Sequence, residues 1–104
     1  KPRMRAMVLQ VKGGKNISSG DIRDLRGVLE RERDVDLAGF ISLKEPSREM
    51  KREASAAGVF SYEGVDYPRI QMLTVREILE EKREFKSPTK IRSRAATGQA
   101  NLPI

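Results

Sequence analysis

The stretch Leu37-Ala38-Gly39-Phe40-Ile41-Ser42-Leu43 limits what this chain can fold into more than any other. Strand side chains alternate between two faces, so an apolar run without alternation reads as a central strand covered on both faces. The rest of the chain has to provide that cover. With 104 residues there is room for one small domain and one hydrophobic core. An apolar fraction of 38% beside 35% charged residues implies a modest core inside a heavily charged surface.

The flanking segments supply strands and helices in alternation. Residues 5–12 form a first strand, and Gly13-Gly14 stops it and opens a loop. Ser18 with Asp21 three residues later resembles a capping box, ahead of a helix over residues 20–33. Ile22, Leu25, Val28 and Leu29 make its buried stripe. Gly27 lies inside that helix at a cost of about 1 kcal/mol, unless another backbone approaches there. After the central strand, a second helix over residues 47–57 presents Met50, Ala54 and Ala57, with Gly58 as its stop. Residues 59–62 read as a brief extended piece and residues 63–68 as a turn or loop. A last strand spans residues 69–73, and Thr74 with Glu77 caps a helix over residues 75–82 that keeps Val75, Ile78 and Leu79 inside. Strand–helix alternation implies an α/β fold: a small, mostly parallel sheet of three to four strands flanked by helices. Residues 1–82 form this module, which begins as though cut from something longer, and residues 83–104 lack periodicity and read as a disordered basic tail.

Charge is concentrated at the ends. The net charge is +6, of which residues 83–104 hold +4 (five basic, one acidic) and Lys1, Arg3 and Arg5 hold +3, leaving −1 for residues 6–82. Basic ends beside a near-neutral body suit a polyanionic partner such as phosphate, or serve as solubilising tails. The chain has no cysteine and no histidine, which excludes disulfides, thiolate or imidazole zinc sites, a histidine base and a cysteine nucleophile. There is no apolar run of the roughly 20 residues a bilayer span needs, and no signal peptide, so a cytoplasmic setting is expected.

Two polar residues interrupt the first strand. Gln10 and Lys12 are two apart and leave it on one face. They form either the wet face of an edge strand or half of a metal and phosphate site. Lys15 and Asn16, in a loop with glycines, are candidates for phosphate contact. Arg23 and Arg26 could join them, or form a solvated helix face with Asp24, Glu30 and Glu32 as partners. Phe60, Tyr62 and Tyr67 could stack on bases or simply pack.

Gln10-Val11-Lys12, the stretch Asp21-Ile22-Arg23-Asp24-Leu25-Arg26-Gly27, the run Gly39-Phe40-Ile41-Ser42-Leu43 and the segment from Tyr67 to Thr74 together resemble the restriction-endonuclease-like fold in its Mrr-type branch. They look like a module found at the C-terminus of bacterial and archaeal site-specific DNA methyltransferases of the amino-methylating type. The resemblance covers about residues 5–82. It implies double-stranded DNA and the remainder of a methyltransferase polypeptide as partners, with Gln10 and Lys12 as catalytic positions. In such a site Gln10 would offer an amide oxygen to a divalent cation such as Mg2+, and Lys12 would orient water or neutralise developing charge.

The chain departs from that pattern in one respect. The family's principal metal ligand is an aspartate on an earlier strand, and no acidic residue precedes Asp21 here. Either that strand lies upstream or the site is degenerate, and the chain alone is not expected to cleave DNA. Methyl transfer is not expected from it either, since Gly13-Gly14 lacks the wider cofactor motif and Asp66-Tyr67-Pro68 is not the loop that holds a target amino group. Two functions fit: a DNA-binding accessory module of a restriction-modification type methyltransferase, or a non-catalytic protein-interaction domain on a degenerate nuclease fold.

Overall fold

The apolar run does form an inner strand of a parallel sheet. The computed structural model describes residues 6–88 and 92–95, the last four and Ala6 by backbone alone. In chain order the elements are β1 (Ala6–Lys12), α1 (Ser19–Arg31), β2 (Val35–Ser42), α2 (Arg48–Ser55), β3 (Val59–Tyr62), β4 (Val65–Pro68), β5 (Ile70–Thr74), α3 (Val75–Glu80) and β6 (Arg92–Ala95). The sheet order is β5-β2-β1-β6, all parallel, and β3 and β4 form a separate antiparallel hairpin. The small parallel sheet flanked by helices is therefore as expected. No helix among the described residues is long and apolar enough to cross a membrane.

Both crossovers, β1-α1-β2 and β2-α2-β5, advance in the same direction across the sheet. A common hand then places both helices on one face. Ile22, Leu25 and Leu29 of α1 and Met50 and Ala54 of α2 accordingly meet Val8, Ala38, Phe40 and Ile70 in a single core. Phe40 is fully buried there, a contribution of ~1.5–3 kcal/mol for such a side chain. Asp36 is an extra residue in the β1–β2 register, since Ala6 pairs with Val35 and Met7 with Leu37. That bulge turns Val35 to the helix side and Leu37 to the other.

The opposite face is covered differently. Met7, Leu9 and Leu37 form its core, and Phe60, Tyr67 and Phe85 pack against them. Phe60 and Tyr67 face each other across the β3–β4 hairpin, and Ser61 hydrogen-bonds to Asp66 on its outer side. Residues 65–68, expected as loop, are thus a strand. Glu63 and Gly64 occupy the two turn positions with φ of 52° and 83°, the left-handed pair a two-residue hairpin turn needs. Glu-Gly meets that need without the Asn-Gly or Asp-Gly signature that would have announced it.

Phe85 reaches the sheet through a gap at Gly39. A Cβ on Gly39 would lie 2.8 Å from Leu9 Cδ2 and 2.8 Å from Phe85 Cζ, so glycine alone admits the ring. The Gln71 side chain then fixes the chain beside Phe85. Its amide donates to the Lys86 carbonyl at 2.7 Å and accepts from the Lys86 N–H at 2.6 Å. Residues 83–88 are therefore held against the sheet, and Arg92–Ala95 pairs with Ala6–Leu9. This differs from the disordered tail expected from residue 83: one aromatic residue without periodic neighbours gives no pattern, yet it covers the sheet. The rest of that segment, and Lys1, Arg3 and Arg5, lie outside the described residues.

Other boundaries shift by small amounts. α1 starts at Ser19 on an Asp21 capping box, and α2 is shorter than expected at both ends. A Cβ at Gly27 would meet only Arg31 Nη1, at 3.0 Å, so no backbone approaches there. α3 stops at Glu80 and buries nothing fully, and Leu79, expected inside, is 64% exposed. A six-residue helix touching the sheet mainly through β5 has no second partner for that side chain.

Two outcomes follow from this packing. Gly39→Ala is expected to lower stability by ~1–3 kcal/mol through overpacking. The cost should fall in a Phe85→Ala background, where one obstructing side chain is gone; additive costs in chemical denaturation would refute the contact. The second concerns Glu77, whose carboxyl is held below its ordinary 4.5, chiefly by the Thr74 backbone N–H and further by the Thr74 hydroxyl and Arg83. A depressed folded-state pKa stabilises above the unfolded value and is lost as pH falls through the folded one. Glu77→Gln should therefore destabilise at about pH 6, with the gap to wild type narrowing by about pH 3 in urea titrations.

Candidate functional site

Three strands end level at one edge of the sheet. Lys12 pairs with Ser42, and Ser42 with Thr74, each the last residue of its strand. Ser42 and Thr74 are buried, and both hydroxyls steer the chain onward. Ser42 Oγ donates to the Lys44 carbonyl at 2.8 Å, and Thr74 Oγ1 accepts the Glu77 N–H at 3.1 Å. The Leu43 N–H meets the Lys12 carbonyl at 3.4 Å, joining the two turns that leave β1 and β2.

Gln10 and Lys12 share the helix-side face with Val8, as their spacing requires. Gln10 stands opposite Phe40 and is half-buried. The Lys12 side chain is 40% exposed, with Nζ 3.5 Å from Asp21 Oδ1. The other Asp21 oxygen accepts the Ser18 N–H at 2.9 Å, so one carboxylate caps α1 and faces Lys12 at once. The capping signal was visible in the sequence, but the pairing of Asp21 with Lys12 was not. Among the described residues β6 pairs with β1 over Ala6–Leu9, and Gln10 and Lys12 pair with β2. β1 is thus an inner strand between β2 and β6, not the edge strand that was one of its two readings.

Lys15 and Asn16 are exposed, in a loop anchored by Ile17, which packs against the helix-side core. Gly13, Gly14 and Lys15 form one wall of an open cleft of about 470 Å³, and Leu43 and Lys44 form the other. Arg23 and Arg26 point elsewhere. Both meet Glu53 of α2, at 3.4 and 2.6 Å, in place of the partners expected on their own helix. Two helices on one face lie side by side, so a cross-helix acid competes with acids along α1. The shallow groove there is lined by Arg23, Arg52, Glu49 and Glu53, whose charges balance. The aromatic residues take part in packing, with Phe60 and Tyr67 partly buried against the core and the Phe60 and Tyr62 rings stacked 6.0 Å apart.

Gln10 would bring a Mg2+ ion a single amide oxygen. A hard cation prefers several oxygens, carboxylates above all, whereas Asp21 is engaged by Ser18 and Lys12. Among the described residues, no three acidic, histidine or cysteine side chains come together in a way that could hold a metal ion. What this edge offers is cationic and neutral hydrogen-bond donors around a glycine turn, a chemistry suited to anions. No protein-family model matches the chain, and no significant match is found among curated proteins or solved structures.

Partial exposure of the Lys12–Asp21 pair sets its energetic weight. Lys12→Met should change stability by no more than about 0.5 kcal/mol, as exposed ion pairs contribute little. Asp21→Ala should cost ~1 kcal/mol by breaking the cap of α1. Equal losses for the two variants in thermal or urea unfolding would show that the ion pair, not the cap, is the stabilising contact.

Proposed function

We propose that this chain is a DNA-contacting module on a restriction-endonuclease-like scaffold, carried by a larger site-specific DNA methyltransferase and binding duplex DNA without itself cutting it. The observation that carries the reading is the placement of Lys12 and Lys15 around Gly13-Gly14 at the C-terminal edge of a parallel sheet. In open α/β sheets, ligands are taken up outside the carboxyl ends of the strands. The Gln-x-Lys strand, the helix after it and the apolar strand beside it supply the likeness to that scaffold.

The residues divide by role under this reading. Lys15 and Asn16 contact phosphate directly from an exposed loop. Lys12, steadied by Asp21, adds positive charge at the strand end. Arg23, its side chain 60% exposed, and Arg26, 33% exposed, lie further along α1 and add to the field with their charge partly offset by Glu53. Gln10 and Lys12 are the remnant of a nuclease site, in which Gln10 would offer its amide oxygen to a divalent cation such as Mg2+. The basic segments near both ends add to the net positive charge that favours a polyanion, and a DNA-bound enzyme of this kind works in the cytoplasm. A second reading, a protein-interaction domain, draws on the internal pairing of Lys12, Arg23 and Arg26.

Salt dependence separates the two. Duplex DNA affinity is expected to fall steeply with ionic strength, with a log–log slope of about −2 to −3 for two or three phosphate contacts. Lys15→Glu should flatten it in fluorescence anisotropy titrations. Negligible binding at low salt would favour the protein-interaction reading. In magnesium the chain should leave supercoiled plasmid intact; nicking that disappears in Lys12→Ala would overturn the non-cleaving assignment.

A further inference from the structure

The end of β2 holds a feature that this reading does not use. Every other apolar residue of the central run is at least partly buried, but Leu43 is 62% exposed. Its position is fixed on both sides. The Leu43 N–H is held by the Lys12 carbonyl, and the Ser42 hydroxyl holds the carbonyl of Lys44. Ser42 occupies the inward-facing place, so Leu43 is directed into the cleft it shares with Gly13, Gly14, Lys15 and Lys44. Among the described residues no acidic side chain lines that cleft, and the neighbouring Glu45 is drawn towards Lys51 at 3.5 Å.

We infer that Leu43 and Lys44 form the second half of the DNA contact, with Leu43 packing against sugar and base edges while Lys44 and Lys15 hold flanking phosphates. The inference rests on the DNA-contacting reading above. An apolar projection between two cations complements a nucleic-acid strand, whose charged phosphates border apolar sugar and base surfaces. Apolar side chains that enter a groove in this manner add affinity without adding phosphate contacts, whereas each lysine adds to the salt dependence.

The test uses the full chain, a labelled duplex and two exposed-site variants, Leu43→Ser and Lys44→Gln, with circular dichroism to show that both fold. Leu43→Ser is expected to weaken duplex binding about five- to tenfold with the salt slope unchanged. Lys44→Gln should reduce the magnitude of the slope by about one. Poly-glutamate should not displace the duplex at equal charge concentration. Wild-type binding by both variants would overturn the role of Leu43 and Lys44 while leaving the DNA-contacting reading intact. Efficient displacement by poly-glutamate would assign the cleft to an acidic polypeptide. A wild-type chain that fails to bind duplex at low salt would overturn both readings together.

Discussion

Everything in this fold depends on covering β2 from two sides. A parallel strand buried on both faces cannot leave either to water, and the two crossovers deliver both long helices to the same one. The other face receives a hairpin and a single phenylalanine. Gly39 makes that second arrangement possible, since any side chain there would occupy the volume of the Phe85 ring. The glycine thus closes the domain by having no side chain, and the Gln71 amide keeps the ring in place by pairing with the backbone of Lys86 as a neighbouring strand would. Residues far apart in sequence are joined here by shape and backbone hydrogen bonding, with little help from charge.

This division explains which parts of the fold the sequence could disclose. The helix-side layer was legible because its signals are periodic: Ile22, Leu25 and Leu29 recur at helical spacing, Thr74 and Glu77 mark a helix start, and the apolar run marks β2. The other layer rests on isolated residues. Phe85 has no periodic companions, and Glu63-Gly64 turns a hairpin with a pair that is not the usual signature. β4 was therefore read as loop, and residues 83–88 as tail. The exposed Leu43 and Leu79 show the same limit in reverse. Each continues an apolar pattern, but each falls where the packed layer ends, and a pattern does not record where its partner stops.

The candidate site was legible in its residues more than in its relations. That Gln10 and Lys12 share a face follows from strand geometry alone. That Asp21 faces Lys12, and that Glu53 takes both Arg23 and Arg26, depends on how two elements lie against each other. The same holds for the pairing of the Gly13-Gly14 turn with Leu43 and Lys44, which needs two strands to end level. Electrostatic partners chosen from neighbours along one helix were accordingly displaced by a partner on the next.

The bond from Arg26 to Glu53, 2.6 Å long and partly buried, bears on more than the two helices it joins. The walls of the cleft at the sheet edge are the leads into α1 and α2. The two helices share a core and are also tied across their outer surface, so the leads into them are anchored on both sides. A ligand entering between Lys15 and Lys44 would meet walls already in position, and little of its binding energy would go into ordering them. The two arginines first considered as direct contacts would then act at a distance, as the brace that keeps the opening at a constant width.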